Sequence, residues 1–255
     1  ANKPIEGGLA GPGLLSQVVV SKYREHLPLT RQVQIFRRSG VDLPVSTLAD
    51  WVKEAAGILE PVARSIHERV MKSHVVQVDD TGLTVLDGSH PKGSKRGHQW
   101  ALVGDKVFVS YHYTPTWEQE GIQRVLKDRV GWLQADGYKG YEKLFGEGRC
   151  VKVGCLSHAR RYFVEALESG DTRAAVAVHW MNALFAVERE AQGLTAAGIL
   201  DLRQKRSKPV YEKLGDWAKA VRPSVEPSSP LGAALTYLAN QWRALGRFLE
   251  DALLE

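Results

Sequence analysis

The residues best placed to do chemistry are acids that follow apolar runs. Val75-Val76-Gln77-Val78-Asp79-Asp80-Thr81 sets two carboxylates after a β-branched segment, and Gly131-Trp132-Leu133-Gln134-Ala135-Asp136 repeats the arrangement farther along. A carboxylate at a strand end can project from the sheet edge into a cleft. Two or three converging there can hold Mg2+ or Mn2+, because hard cations take oxygen ligands and keep water positions open. Metals so held support in-line attack of water or a 3′-hydroxyl on a phosphodiester. Each segment also has a plainer reading. Asp79-Asp80-Thr81-Gly82 is good hairpin-turn chemistry, and Asp136 can cap the short helix that begins near Tyr138.

A third group is Cys155-Leu156-Ser157-His158-Ala159-Arg160-Arg161. It offers a histidine and two arginines near a helix N-terminus, a place suited to phosphate. An amphipathic helix with its basic residues in solvent accounts for the same pattern. Other cations cluster at Arg31, Arg37 and Arg38, at Lys92, Lys95 and Arg96 in the stretch Pro91 to Gly97, and at Arg203, Lys205, Arg206 and Lys208. The net charge of +5 is compatible with nucleic acid as a partner. The stretch from Pro91 to Gly97 reads as a flexible basic loop able to touch phosphate, or as a solvated hairpin loop.

Two cysteines, Cys150 and Cys155, are too few for a disulfide framework, and reduced, buried thiols are expected. With 44% hydrophobic and 25% charged residues the chain has the composition of a packed globular protein. No apolar run is long enough to span a membrane and no secretory signal opens the chain, so a cytoplasmic, nucleoid-associated protein is expected. The chain opens on Ala1 and stops within a helical pattern at Glu255, which reads as a piece of a longer protein.

These residues need elements to position them. A Gly- and Pro-rich entry over 1–13 leads into a helix from Leu14 that Pro28 stops. A second helix covers TRQVQIFRRSG, closed by Gly40. A third opens with Ser46 and Thr47 as N-cap candidates, and Pro61 is expected to kink or break it. Three helices with a tight turn resemble a helix-turn-helix unit. In that case residues 46–59 would enter a groove with Ser46, Thr47 and Lys53 at their start, and Arg37 and Arg38 would touch phosphates. Packing helices with no such role would look alike.

The middle changes period. HVVQVDD, TGLTVLD, HQWALVG and KVFVSYHY read as consecutive strands of an antiparallel meander. A helix over EQEGIQRVLKDR follows, then a buried strand GWLQAD, a short helix YKGYEKLFG, a strand VKVGCL, and a helix with Ser157 as N-cap. Trp100, Trp117 and Trp132 are expected in the core. Beyond Asp171 the pattern is helical over 171–192, 196–206, 208–221 and from 230 onward. The order predicts an α/β protein: a helical, helix-turn-helix-like region over 1–72, a ribonuclease H-like mixed sheet over 73–170, and an all-helical region over 171–255. In such a sheet the strands ending at Asp79 and Asp136 lie side by side.

The sequence resembles the transposases of the insertion sequence 66 family. The likeness runs from GLAGPGLLSQVVVSKYREHLPLTRQ through VDLPVSTLADWV, LQADGYKGYEKL and VGCLSHARRYF to PLGAALTYLANQWRALGRFLED. It implies a DDE enzyme on a ribonuclease H-like fold, using Mg2+ or Mn2+ to cleave and join DNA at element ends. Gln77-Val78-Asp79-Asp80-Thr81 resembles the family's His-Ala-Asp-Glu-Thr motif, so the resemblance puts the first catalytic, metal-holding acid on Asp79. Leu133-Gln134-Ala135-Asp136 puts the second on Asp136. Gln77 and Asp80 depart from the usual histidine and glutamate. Cys155, His158, Arg160 and Arg161 match a signature that implies DNA or active-site support. The third acid is expected downstream of Glu255, so neither Glu250 nor Glu255 is assigned that role. The family's N-terminal zinc-binding and coiled-coil parts are not in this sequence.

The implied partners are double-stranded DNA, as element ends and target, and further copies of the protein assembled on it. An inactive DNA-binding remnant of a transposase and a host nuclease on the same fold are the alternatives.

Overall fold

The computed structural model describes residues 4–5 and 8–254. Glu6 and Gly7 of the glycine-rich entry, and Glu255, lie outside the described residues. The chain forms two compact units, residues 1–66 and 67–255.

The first unit holds α1 (Pro12–Tyr23), α2 (Leu29–Arg38) and most of α3 (Val45–Lys72). Apolar residues at helical spacing, Leu15, Val18, Val33, Leu48 and Trp51, close into one small core. Buried Gln32 fixes the α1–α2 turn by donating to the carbonyls of Val18 and Leu27. Helix α1 stops at Tyr23, before Pro28, because His26 adopts a left-handed φ of 54° and the Leu27 amide turns back to the Ser21 carbonyl. Ser46 and Thr47 are not caps: the Pro44 carbonyl already accepts the first helical bond, from Leu48, so both sit inside the first turn. Pro61 does not end α3 either. The carbonyl it leaves without a donor belongs to Gly57, and the whole stretch 56–65 is exposed, so water can serve it.

The second unit is built on a five-stranded mixed sheet in the order β3-β2-β1-β4-β5. The strands are β1 (Val75–Leu86), β2 (Ser94–Gly104), β3 (Phe108–Thr114), β4 (Gly131–Ala135) and β5 (Cys150–Gly154). β1 to β3 form the expected antiparallel meander, while β4 runs parallel to both β1 and β5. The two segments expected as separate strands on either side of Thr81-Gly82 are one. β1 stays paired with β2 through Asp79, Asp80, Thr81 and Gly82, so that sequence is not a turn. The Arg96 side chain lies across Gly82, where a Cβ would come 2.5 Å from the guanidinium. The chain reverses only at 87–93, where Asp87 accepts from the Ser89 amide and Gly93 takes φ +66°.

Helices pack on both faces of the sheet, leaving one side of β2 and β3 exposed. α4 (Gln119–Val125), a short turn at Lys139–Tyr141, α5 (Glu142–Gly146) and the end of α3 close a core with Val76, Val78, Trp100, Leu102 and Leu133. On the other face α6 (Leu156–Glu168), α7 (Ala174–Glu190), α9 (Lys208–Val221) and α10 (Pro230–Leu245) pack around Phe163, Met181, Leu214, Leu235 and Leu238. α8 (Ala196–Leu202) joins α9 through a π-helical turn at Arg203–Ser207. Pro209 has no N–H for the Lys205 carbonyl and its ring crowds it, which a widened turn relieves. Cys155, not Ser157, caps α6, its carbonyl accepting from Ala159. Among the described residues no helix is long and apolar enough to cross a membrane.

Candidate active site

Side chains alternate across a strand, so Gln77 and Asp79 face one side of β1, and Val78 and Asp80 the other. β1 and β4 are in parallel register as far as Gln77 opposite Gln134, and each acid stands two residues farther on. Asp79 is therefore not at the end of its strand but just past the end of the β1–β4 pairing, while Asp136 follows the last residue of β4. Both line one cleft of about 710 Å³ in the second unit, together with Gln77, Gln134, Cys155 and His158. α7 contributes Leu184, Phe185, Glu188 and Arg189 to the same wall.

The floor is held by a ladder of amides. Gln77 Nε2 donates to Gln134 Oε1 at 3.0 Å, and Gln134 Nε2 donates to the Gly154 carbonyl at 3.2 Å. This ties β1, β4 and β5 together one step below the acids. Farther back, fully buried Arg129 donates to the carbonyls of Met71, Ser73, His74 and Trp132. It thereby fixes the entries of β1 and β4 against each other, and with them the relative height of Asp79 and Asp136. Asp136 also accepts from the Tyr138 amide at 3.0 Å, so it shapes a turn as well as facing the cleft.

His158 projects from the first turn of α6 with Nε2 3.8 Å from Asp79 Oδ1. Contact with Cys155, then the negative charge of Asp79 and Asp136, raises its pKa above the ordinary histidine value. Burial pushes the Cys155 thiol up, but His158 beside it outweighs burial and leaves it below the usual thiol range. Cys155 is thus a partly buried group at the cleft, whereas Cys150 is a buried thiol donating to the Arg129 carbonyl.

Asp80 has a different neighbourhood. Its Oδ2 lies 2.7 Å from His98 Nδ1, and the His98 ring stacks on Trp117, which stacks in turn on Tyr138. Trp100 is buried as expected and Trp132 packs at the edge of a core, but Trp117 is half exposed. Its two faces are already covered by His98 and Tyr138.

The remaining basic candidates are scattered. Arg160 turns to α7, donating to Asn182 at 2.8 Å, and Arg161 is exposed; neither lines the cleft. Only Lys92 lies in the loop before β2, because Lys95 and Arg96 already belong to that strand. Lys95 pairs with Asp87 at 2.8 Å. In the first unit Arg37 pairs with Asp42 at 3.0 Å, Arg38 and Lys53 are exposed, and Thr47 is half-buried. Sequence reasoning missed the Gln77–Gln134 ladder, although a glutamine two residues before each acid puts it on the same strand face. It also missed Arg129, for which no local signal exists.

Among the described residues no cluster of three or more histidine, cysteine or acidic side chains is arranged to hold a metal ion. The protein is an α/β protein whose mixed sheet presents two carboxylates from adjacent parallel strands to one helix-walled cleft. The chain belongs to the transposase IS66 family, whose model matches residues 7–255. It is similar to three uncharacterized proteins of Sinorhizobium fredii. It is 31% identical to y4jD over 98% of this chain and 52% of that protein. It is 32% identical to y4qI over 98% of this chain and 49% of that one, and 30% identical to y4hP over 96% and 48%. The chain thus spans about half the length of the curated relatives it matches.

Proposed function

We propose that this chain carries the catalytic sheet of a DDE-type DNA transposase, which cleaves element ends by hydrolysis and joins their 3′-hydroxyls to target DNA. The observation that carries the reading is that Asp79 and Asp136, from neighbouring parallel strands, face one cleft with His158. The strand order β3-β2-β1-β4-β5, with an antiparallel meander continued by two parallel strands, supports a ribonuclease H-like fold. Membership of the transposase IS66 family supports DNA as the partner.

The donor set fits Mg2+ or Mn2+ in part. Two carboxylates supply hard oxygen ligands, leaving the rest of the coordination sphere to water, substrate and a third acid, which the family resemblance puts downstream of Glu255. When bound, such ions stabilise the attacking and leaving oxygens of an in-line displacement. The chain's own residues do the positioning. The Gln77–Gln134 ladder and Arg129 fix the heights of the two acids. His158, its pKa raised by Cys155 and by the negative charge of Asp79 and Asp136, stands beside Asp79 where its ring N–H can donate to a phosphate oxygen.

Calorimetry of the whole protein with Mn2+ tests this. Binding is expected for the wild type and lost in the Asp79→Asn, Asp136→Asn double variant. Unchanged Mn2+ affinity in a folded double variant sinks the assignment.

A further inference from the structure

The cleft face of the sheet continues beyond Asp79 onto the exposed side of β2 and β3. Register places Asp79 opposite Ala101 and Ala101 opposite Tyr111, while Thr81 lies opposite Gln99 and Gln99 opposite Tyr113. Gln77, Val103 and Val109 form the row before. These residues share one face because each aligned set lies side by side and alternate residues repeat along each strand. Val109, Tyr111 and Tyr113 are 41%, 65% and 49% exposed, and the Tyr113 ring lies over Gly97 with its outer side toward solvent. Ala101 and Val103 line the cleft, so its wall and this surface are continuous.

Distances follow from sheet geometry. Tyr111 stands two strands from Asp79, about 10 Å away, and the two tyrosines, two residues apart on β3, are about 7 Å from each other. Flat rings so spaced on an open antiparallel sheet suit successive unstacked bases, since every base has a π-face and stacking needs no particular sequence. Phosphates of a strand so placed have cations at both ends of the face. Lys106 and Arg189 line the cleft, and Lys95 lies near Tyr113 at the far end, where it also neutralises Asp87. Gln99 and Thr81 between the rows can hydrogen-bond a sugar or a base edge. Three exposed apolar side chains on a seven-residue edge strand are a small area for a stable dimer, which needs about 1,000 Å² or more.

We propose that the face formed by Thr81, Gln99, Val109, Tyr111 and Tyr113 is a stacking platform for unpaired nucleotides, guiding a single-stranded DNA segment toward Asp79. The proposal rests on the DNA-processing reading above and names the form of DNA this part of the site takes. Tyr111 and Tyr113 act as binding residues and need not touch the reacting atoms.

The test compares the whole protein with a Tyr111→Ala, Tyr113→Ala variant by fluorescence anisotropy at one stated salt concentration. The probes are a blunt DNA duplex and the same duplex with a short 3′ single-stranded extension. The wild type is expected to prefer the extended duplex. The variant should lose roughly tenfold or more in affinity for it and keep its affinity for the blunt one. Tyr→Phe at both positions should retain the preference, because the rings remain. A variant that keeps the preference overturns the proposal, as does an equal loss on both probes. A fall in mass by light scattering with the preference intact would make the face a subunit contact and also overturns it. A wild type that binds neither probe removes the DNA reading itself, and only that result does so.

Discussion

Two carboxylates adjacent in sequence meet opposite surroundings because a strand alternates its side chains. Asp79 faces the cleft with His158, whereas Asp80 lies on the opposite face, 2.7 Å from His98 Nδ1. Sequence alone offered either acid, and family likeness favoured the first; strand parity turns that one, Asp79, to the cleft. Histidines on the same rear face carry a prediction of their own. His112 Nε2 lies 2.9 Å from His67 Nδ1, which is 3.3 Å from Ser110 Oγ. Burial, and then the neighbouring His67, lowers the His112 pKa to about 4, and burial lowers that of His67. Glu68 and Asp128 pull His67 the other way but do not reverse the shift. A histidine whose folded pKa lies below its unfolded value of about 6.5 contributes stability above that value and loses it as pH falls toward the folded pKa. Unfolding free energy should therefore drop between about pH 6.5 and pH 4. After discounting for partial exposure, His112 should account for about 1–2 kcal/mol of that drop. Urea midpoints at pH 7.5 and 4.5 check this: His112→Gln should narrow the difference, and an equal difference in both proteins would refute it.

Buried arginines hold the elements that hold the site. Arg203, almost wholly enclosed in its π-helical turn, donates to both carboxylate oxygens of Glu188 on α7 and to the carbonyls of Phe248, Asp251 and Leu254. It clamps the segment after α10 against the cleft wall, which Glu188, Arg203, Phe248 and Ala252 all line. Removing the cation leaves a partly buried carboxylate unpaired and takes a donor from each of three carbonyls, of which that of Asp251 keeps the Leu254 amide, so Arg203→Met should cost about 3–5 kcal/mol. Guanidinium unfolding would measure the loss, and amide exchange should quicken first over 248–254. Arg203→Met combined with Glu188→Leu should recover part of it, because no unpaired charge then remains. A double variant as unstable as the single one would contradict the ion-pair account. Such clamps were not legible in the sequence. Arg203 read as one of a basic cluster, and its carbonyl partners lie 45 to 51 residues away. The elements themselves were legible, since helices and strands declare themselves by local period. The joined β1 was not, because Asp-Asp-Thr-Gly has turn chemistry and only pairing with β2 keeps it extended. Asp136 was legible twice over, as a cleft acid and as a turn former.

At the scale of the molecule, one helix belongs to both compact units: α3 begins in the first and ends in the second, past the boundary between Ile66 and His67. Its two ends are buried differently from its middle. Leu48 and Trp51 sit in the core of the first unit, and Val70 and Met71 in a core of the second. Every residue from 56 to 65 is exposed, including Ile58, Leu59 and Val62 at 50%, 49% and 56%. Helical stability in proteins comes mostly from packing an apolar face, and this stretch packs none. Pro61 also removes one backbone bond within it, and the Arg64–Glu60 pair, exposed on both sides, adds little. Local opening should therefore be easier here than anywhere in the sheet. Brief trypsin treatment should cut after Arg64 before it cuts within β1 to β5. The products should be two fragments, and the one beginning at Ser65 should keep its circular dichroism and its tryptophan emission. First cleavage inside the sheet, or loss of ordered signal from that larger fragment on cutting α3, would show that the two units do not hold their structure independently.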